Sequence, residues 1–100
     1  MSMMQQLTYY YEATKPISQR VHIGVVGSGD LEIIFEPTTG KSAMVKIRTQ
    51  IEGFEENWKY ILDRFFKRND IIANIEINDF GATPGVASLR LAQAIEVLDR

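Results

Sequence analysis

The chain has no cysteine among its 100 residues. That excludes disulfides, thiolate metal sites and a thiol nucleophile borne by the protein itself. Histidine is almost as scarce. His22 stands alone, so imidazole metal centres and serine–histidine pairs lack their usual members, and an ordinary sheet residue is the expected role. An excess of one charge is also missing. The 11 basic and 13 acidic side chains are interspersed, to a net charge of −2. No basic block is present to displace counterions from nucleic acid or to dock on an anionic membrane, so neither partner is expected. No apolar run approaches the roughly 20 residues that span a bilayer. The opening MSMMQQLTYYYEATK lacks the basic-then-apolar order of a secretory signal. With the missing cysteine, this leads to the expectation of a cytoplasmic protein. Repeats, low-complexity tracts and long linkers are absent too, so residues 1–100 read as one domain, with 1–20 an N-terminal segment.

What is present suits a packed core: 45% of residues are hydrophobic and 24% are charged. Four segments alternate with period two. Val21, Ile23 and Val25 share one face; so do Leu31, Ile33 and Phe35, then Val45 and Ile47, then Ile75 and Ile77. One apolar and one polar face predict a mostly antiparallel sheet of four to five strands, covered on one side. LTYYYE (residues 7–12) is a candidate further strand. Its Tyr9, Tyr10 and Tyr11 cannot all face inward, so at least one is a candidate subunit contact. GFEENWKYILDRFFKRN (residues 53–69) repeats apolar residues with helical spacing at Phe54, Trp58, Ile61, Leu62, Phe65 and Phe66. Along its wet side Glu55 is placed to pair with Lys59, and Asp63 with Lys67. In a second helical segment, Thr83 is the expected N-cap and Pro84 the first helical residue, ahead of a stripe of Ala87, Leu91, Ala94, Ile95 and Leu98. The predicted fold is an α+β two-layer sandwich with both helices on one face of the sheet.

The chemistry concentrates at VVGSGD (residues 25–30). As a phosphate cradle it fails, because such a loop must open a helix and this one opens the strand LEIIFE. Gly27 and Gly29 remove side chains that would crowd the Ser28 hydroxyl, and they permit positive φ. Two readings fit this pattern: an acceptor that another enzyme modifies, and a plain Gly-Ser-Gly hairpin turn in a small binding or assembly module. Asp30 likewise fits either an acid that helps a transferring enzyme orient a metal-bound diphosphate or a turn residue bonding its own backbone. Asp79, Gly81, Thr83, Pro84 and Gly85 form a helix-opening loop. Its free amides are placed to meet a phosphate or a partner, or else to serve only as a strand-to-helix turn. Clustered metal ligands are missing, and no metal is expected.

GVVGSGDLEIIFEP (residues 24–37) and NIEINDFGATPGVASLRLAQAIE (residues 74–96), taken together and in register, closely resemble the acyl carrier (delta) subunits of malonate decarboxylase. The resemblance runs from about Val21 to Glu96. It implies a carrier that catalyses nothing itself. Its Ser28 would bear 2′-(5″-phosphoribosyl)-3′-dephospho-CoA through a phosphodiester, and acetyl and malonyl thioesters would ride on that group's thiol. The implied partners are the acyl-carrier transferase and decarboxylase subunits, a malonyl transferase and the prosthetic-group transferase. The gamma subunit of citrate lyase is the nearest alternative. It shares the Ser-Gly-Asp, strand and proline order, but it usually has Asp-x-Gly-Ala-Leu-Asp where this chain has DFGATPG.

Overall fold

The computed structural model describes residues 4–25, 27, 29–50 and 53–100. Five strands and two helices follow one another as β1 (Gln5–Glu12), β2 (Val21–Gly24), β3 (Leu31–Glu36), β4 (Ser42–Thr49), α1 (Glu55–Arg68), β5 (Asn74–Asp79) and α2 (Pro84–Leu98). They build one sheet in the order β1-β4-β5-β3-β2. Only β4 and β5 run parallel, with α1 as the connection between them. The other neighbours are antiparallel. The architecture is the predicted α+β sandwich with a mixed, mostly antiparallel sheet.

Alternation decides which face is dry. Leu31, Ile33, Phe35, Val45, Ile47 and Ile77 are completely buried, and Ile75 nearly so. Each such side chain contributes about 1.5–3 kcal/mol by leaving water. They pack against Trp58, Ile61, Leu62 and Phe65 of α1 and against Ala87, Leu91 and Ala94 of α2. Small residues in the α2 stripe let that helix lie close to the sheet. The opposite face is polar and internally paired. Arg48 meets Glu76 at 3.3 Å, His22 meets Glu32 at 3.5 Å, and the Asn78 amide donates to Glu32 at 3.1 Å. His22 is thus an exposed sheet residue in an ion-pair position. Of the three consecutive tyrosines, Tyr10 faces outward and is 69% exposed.

Several local expectations change in the folded chain. Val25 does not continue the inward face of β2: the strand ends at Gly24, whose φ of +88° redirects the chain, and Val25 is exposed. Phe54 precedes α1 and is exposed, while Phe66 is only partly buried and stacks on Tyr11 at 4.3 Å between ring centroids. The helix-surface pairing also shifts by one turn. Lys59 bridges to Asp63 at 2.9 Å, whereas Glu55 accepts from the Gln5 amide at 2.7 Å. The Tyr11 hydroxyl donates to Asp63 at 2.7 Å. Strand β1 therefore competes for the acids that helical spacing alone assigns to lysines.

The start of α2 follows expectation. Pro84 opens the helix, and the Thr83 hydroxyl oxygen accepts from the Val86 amide at 3.2 Å. Thr83→Ala is expected to cost about 1 kcal/mol. In a thermal melt this lowers Tm by about 4–8 °C. An unchanged Tm would show that the cap contributes nothing.

Candidate functional site: two loops at one end of the sheet

The site is built by strand register. Leu31 stands opposite Asp79 across the β3–β5 pair, and Thr49 stands beside Asp79 across the β4–β5 pair. The loop entering β3 and the loop leaving β5 must therefore lie side by side, although some 50 residues separate them in sequence.

The antiparallel ladder continues beyond the strand ends. The Gly29 amide donates to the Phe80 carbonyl at 2.8 Å, and the Phe80 amide donates to the Asp30 carbonyl at 2.9 Å. One step further, Gly29 and Gly81 face each other with φ of +77° and +98°. A Cβ on Gly81 would sit 3.7 Å from the Gly29 nitrogen, so the two backbones meet with little between them. Within the first loop, the Asp30 amide donates to the Gly27 carbonyl at 3.2 Å. The Asp30 carboxylate accepts from the Leu31 amide at 2.7 Å. Ser28, the expected attachment residue, lies outside the described residues; its neighbours Gly27 and Gly29 are held as stated.

The candidate residues of the second loop are brought to this end of the sheet, in different roles. Asp79 is 3% exposed, and both of its carboxylate oxygens are engaged within the chain. One accepts from the Gly81 and Ala82 amides at 3.0 and 2.9 Å, the other from the Thr49 hydroxyl at 2.9 Å. Three donors offset the cost of burying this group, and they shape the turn into α2. Thr83 and Pro84 cap and open the helix, as described above. Gly85 lies exposed in the first helical turn.

Arg90 is the residue that the sequence reading missed. Its guanidinium reaches from α2 to Asp30, with Nε at 3.2 Å from Oδ1 and Nη2 at 2.7 Å from Oδ2. Nη1 donates to the Gln93 amide oxygen at 3.1 Å. The two charged side chains are only 27% and 19% exposed. A signal did exist: Arg90 is the one basic residue in the whole of α2, and it follows buried Ala87 by three positions, on the side of the helix turned to the sheet.

This pairing sets the acid behaviour of the loop. The Arg90 hydrogen bond, and after it the Leu31 amide, hold the Asp30 carboxyl below its ordinary value of 3.8. Because the folded pKa is depressed, the carboxylate's anchoring is fully present above about pH 3.8 and is lost as pH falls through the lowered value. An NMR titration of the Asp30 carboxyl is expected to show a midpoint below 3.8, moving upward in Arg90→Ala. A midpoint at or above 3.8 in the wild type would contradict the pairing.

Gly29 is exposed, and Gly27 and Asp30 are half-buried. A recess of about 610 Å³ lies between α1 and α2, and a smaller one of about 210 Å³ lies beside the start of α1. Gly27, Gly29 and Asp30 line neither, whereas Asp79, Gly81, Thr83 and Pro84 of the second loop line the smaller recess and Pro84 and Gly85 the larger. Among the described residues, no group of three or more His, Cys, Asp or Glu side chains is placed to hold a metal ion. No helix among them is long and apolar enough to cross a membrane.

The family described as malonate decarboxylase delta subunit (MdcD) matches residues 18–98. The chain belongs to that family. Two curated relatives, from Azotobacter vinelandii (strain DJ / ATCC BAA-1303) and Pseudomonas fluorescens (strain SBW25), are each 42% identical over 94 residues, covering 93% of this chain and 95% of theirs. Both are named malonate decarboxylase acyl carrier protein. A chain in the crystal structure of a Pseudomonas malonate decarboxylase hetero-tetramer in complex with malonate superposes with a TM-score of 0.89. It is 36% identical and covers 94% of this chain and 98% of its own. These likenesses favour the malonate family over the citrate lyase alternative, in line with DFGATPG.

Proposed function

We propose that the chain is the acyl carrier subunit of a malonate decarboxylase complex and holds its cargo on an arm joined to the Ser28 hydroxyl. The observation that carries this reading is the hydrogen-bonded placing of Gly27, Gly29 and Asp30 around the Ser28 position, in a member of this family. The chain is a carrier and does not catalyse.

The residues suit a phosphodiester-linked group, which we take to be 2′-(5″-phosphoribosyl)-3′-dephospho-CoA. A serine oxygen is the required attachment atom, the adjacent glycines leave room around it, and the chain has no cysteine to hold a thioester itself. When bound, the group supplies the terminal thiol that carries acetyl or malonyl as a thioester. The protein's own residues do the rest. Gly27 and Gly29 bring no side chain next to the serine, Asp30 and Phe80 hold the loop to the sheet, and Asp79 with Thr83 fixes the neighbouring turn. The 79–85 loop, continuous with this surface, is the companion contact for the arm or for a docking subunit. Partners of this surface are the acyl-carrier transferase and decarboxylase subunits, the malonyl transferase, and the enzyme that attaches the arm. The cytoplasm is the fitting compartment, since a working thiol must stay reduced.

The test is the intact mass of the chain isolated with its native partners, followed by peptide mapping. The expected result is an added mass equal to the phosphoribosyl-dephospho-CoA arm, located on Ser28. An unmodified chain in the presence of an active transferring enzyme and its donor would overturn the reading and leave Ser28 as a turn residue.

A further inference from the structure

Asp30 has every polar group engaged. Its amide donates to Gly27, its carbonyl accepts from Phe80, and its carboxylate accepts from Leu31 and from both arms of the Arg90 fork. The planar fork matters, because two parallel donors fix the orientation of a carboxylate where a single ammonium would leave it free to swing. Arg90 is itself steadied by Gln93 on the same helix. The pair therefore ties the loop containing position 28 to the rigid body of α2, across 60 residues of sequence. The backbone ladder through Phe80 ties the same loop to β5. The two restraints approach from different elements, and both act on Gly29 and Asp30, the two residues that follow Ser28.

We propose that Arg90, acting through Asp30, is the positioning residue for transfer of the arm to Ser28. This rests on the reading of Ser28 as the attachment point. In that transfer the serine oxygen forms a bond to the phosphorus of an activated phosphoribosyl donor. The phosphorus–oxygen bond to the donor's diphosphate breaks, and the diphosphate leaves with the electron pair. The hydroxyl proton passes to a base of the transferring enzyme or to water. In-line displacement depends on the direction from which the oxygen approaches, and a misplacement of about 1 Å costs on the order of 100-fold in rate. Arg90 touches neither donor nor oxygen; it holds the loop in the presenting shape.

The experiment follows loading of the full-length apo chain by the transferring enzyme and activated donor, using intact mass against time at several carrier concentrations. For Arg90→Ala, kcat is expected to fall on the order of 100-fold with KM little changed, while the folded state persists in a thermal melt. Arg90→Lys should fall between wild type and Arg90→Ala, because it restores charge but not the fork. Arg90→Gln keeps most of the aliphatic stem and should behave like Arg90→Ala, which separates pairing from packing. Wild-type loading rates in Arg90→Ala would overturn the inference. So would a loss confined to KM, which would make Arg90 a docking contact instead. Those failures leave a wild-type chain that is modified on Ser28. A wild-type chain that takes no group at all would overturn the carrier reading itself.

Discussion

Ser28→Ala is expected to fold as the wild type does, to accept no arm, and to support no malonate decarboxylation above background in a reconstituted complex. On the proposed carrier reading, the substitution deletes the atom through which the phosphodiester would form. With no cysteine in the chain, nothing remains to carry a thioester. The anchors described, Asp30 and the Phe80 ladder, are untouched by the change, which should move stability by no more than about 0.5 kcal/mol. Activity is measured with the other subunits and the transferring enzyme supplied in excess, so that loading does not limit turnover. Full activity from this variant would remove Ser28 from the mechanism. A collapse in Tm would instead reveal a structural role for the hydroxyl.

Gly24→Ala is expected to have the largest effect on the fold. A Cβ at this position would lie 2.1 Å from the backbone carbonyl oxygen of Leu31, and the residue's φ is +88°. Neither group can retreat cheaply. Leu31 is fully buried, and it heads the strand whose register against Asp79 defines the site. Left-handed strain and overpacking together suggest a loss of about 3 kcal/mol or more. That corresponds to a fall in Tm of at least about 12 °C. Gly40→Ala is the control. Its φ is +107° but nothing lies within 4 Å of a Cβ there, so only the backbone strain remains. Equal effects from the two substitutions would show that the close approach to Leu31 is not what requires glycine at position 24.

The strands were legible because the period-two pattern reports directly which side chains leave water. Leu31, Ile33 and Phe35 alternate with polar residues and are completely buried. The cap of α2 was legible for a similarly local reason, since Thr83 and Pro84 act on atoms within three residues of themselves. Val25 shows the limit of that reasoning. Its spacing fits β2, but the backbone turn at Gly24 depends on the close approach of β3. Glu55 shows another, because the partner that displaces Lys59 comes from Gln5, 50 residues away.

The sequence by itself determined the two-layer α+β class, the placing of one serine between two glycines, and the absence of any thiol of the chain's own. All of these follow from residue identity and short-range spacing. Only the tertiary structure decided that β5 lies between β4 and β3, that Gly29 faces Gly81, and that Arg90 reaches Asp30. Those features depend on the order and register of strands that bury one common face. That choice is made by the packing of the whole sheet against two helices, and no short window of residues contains it.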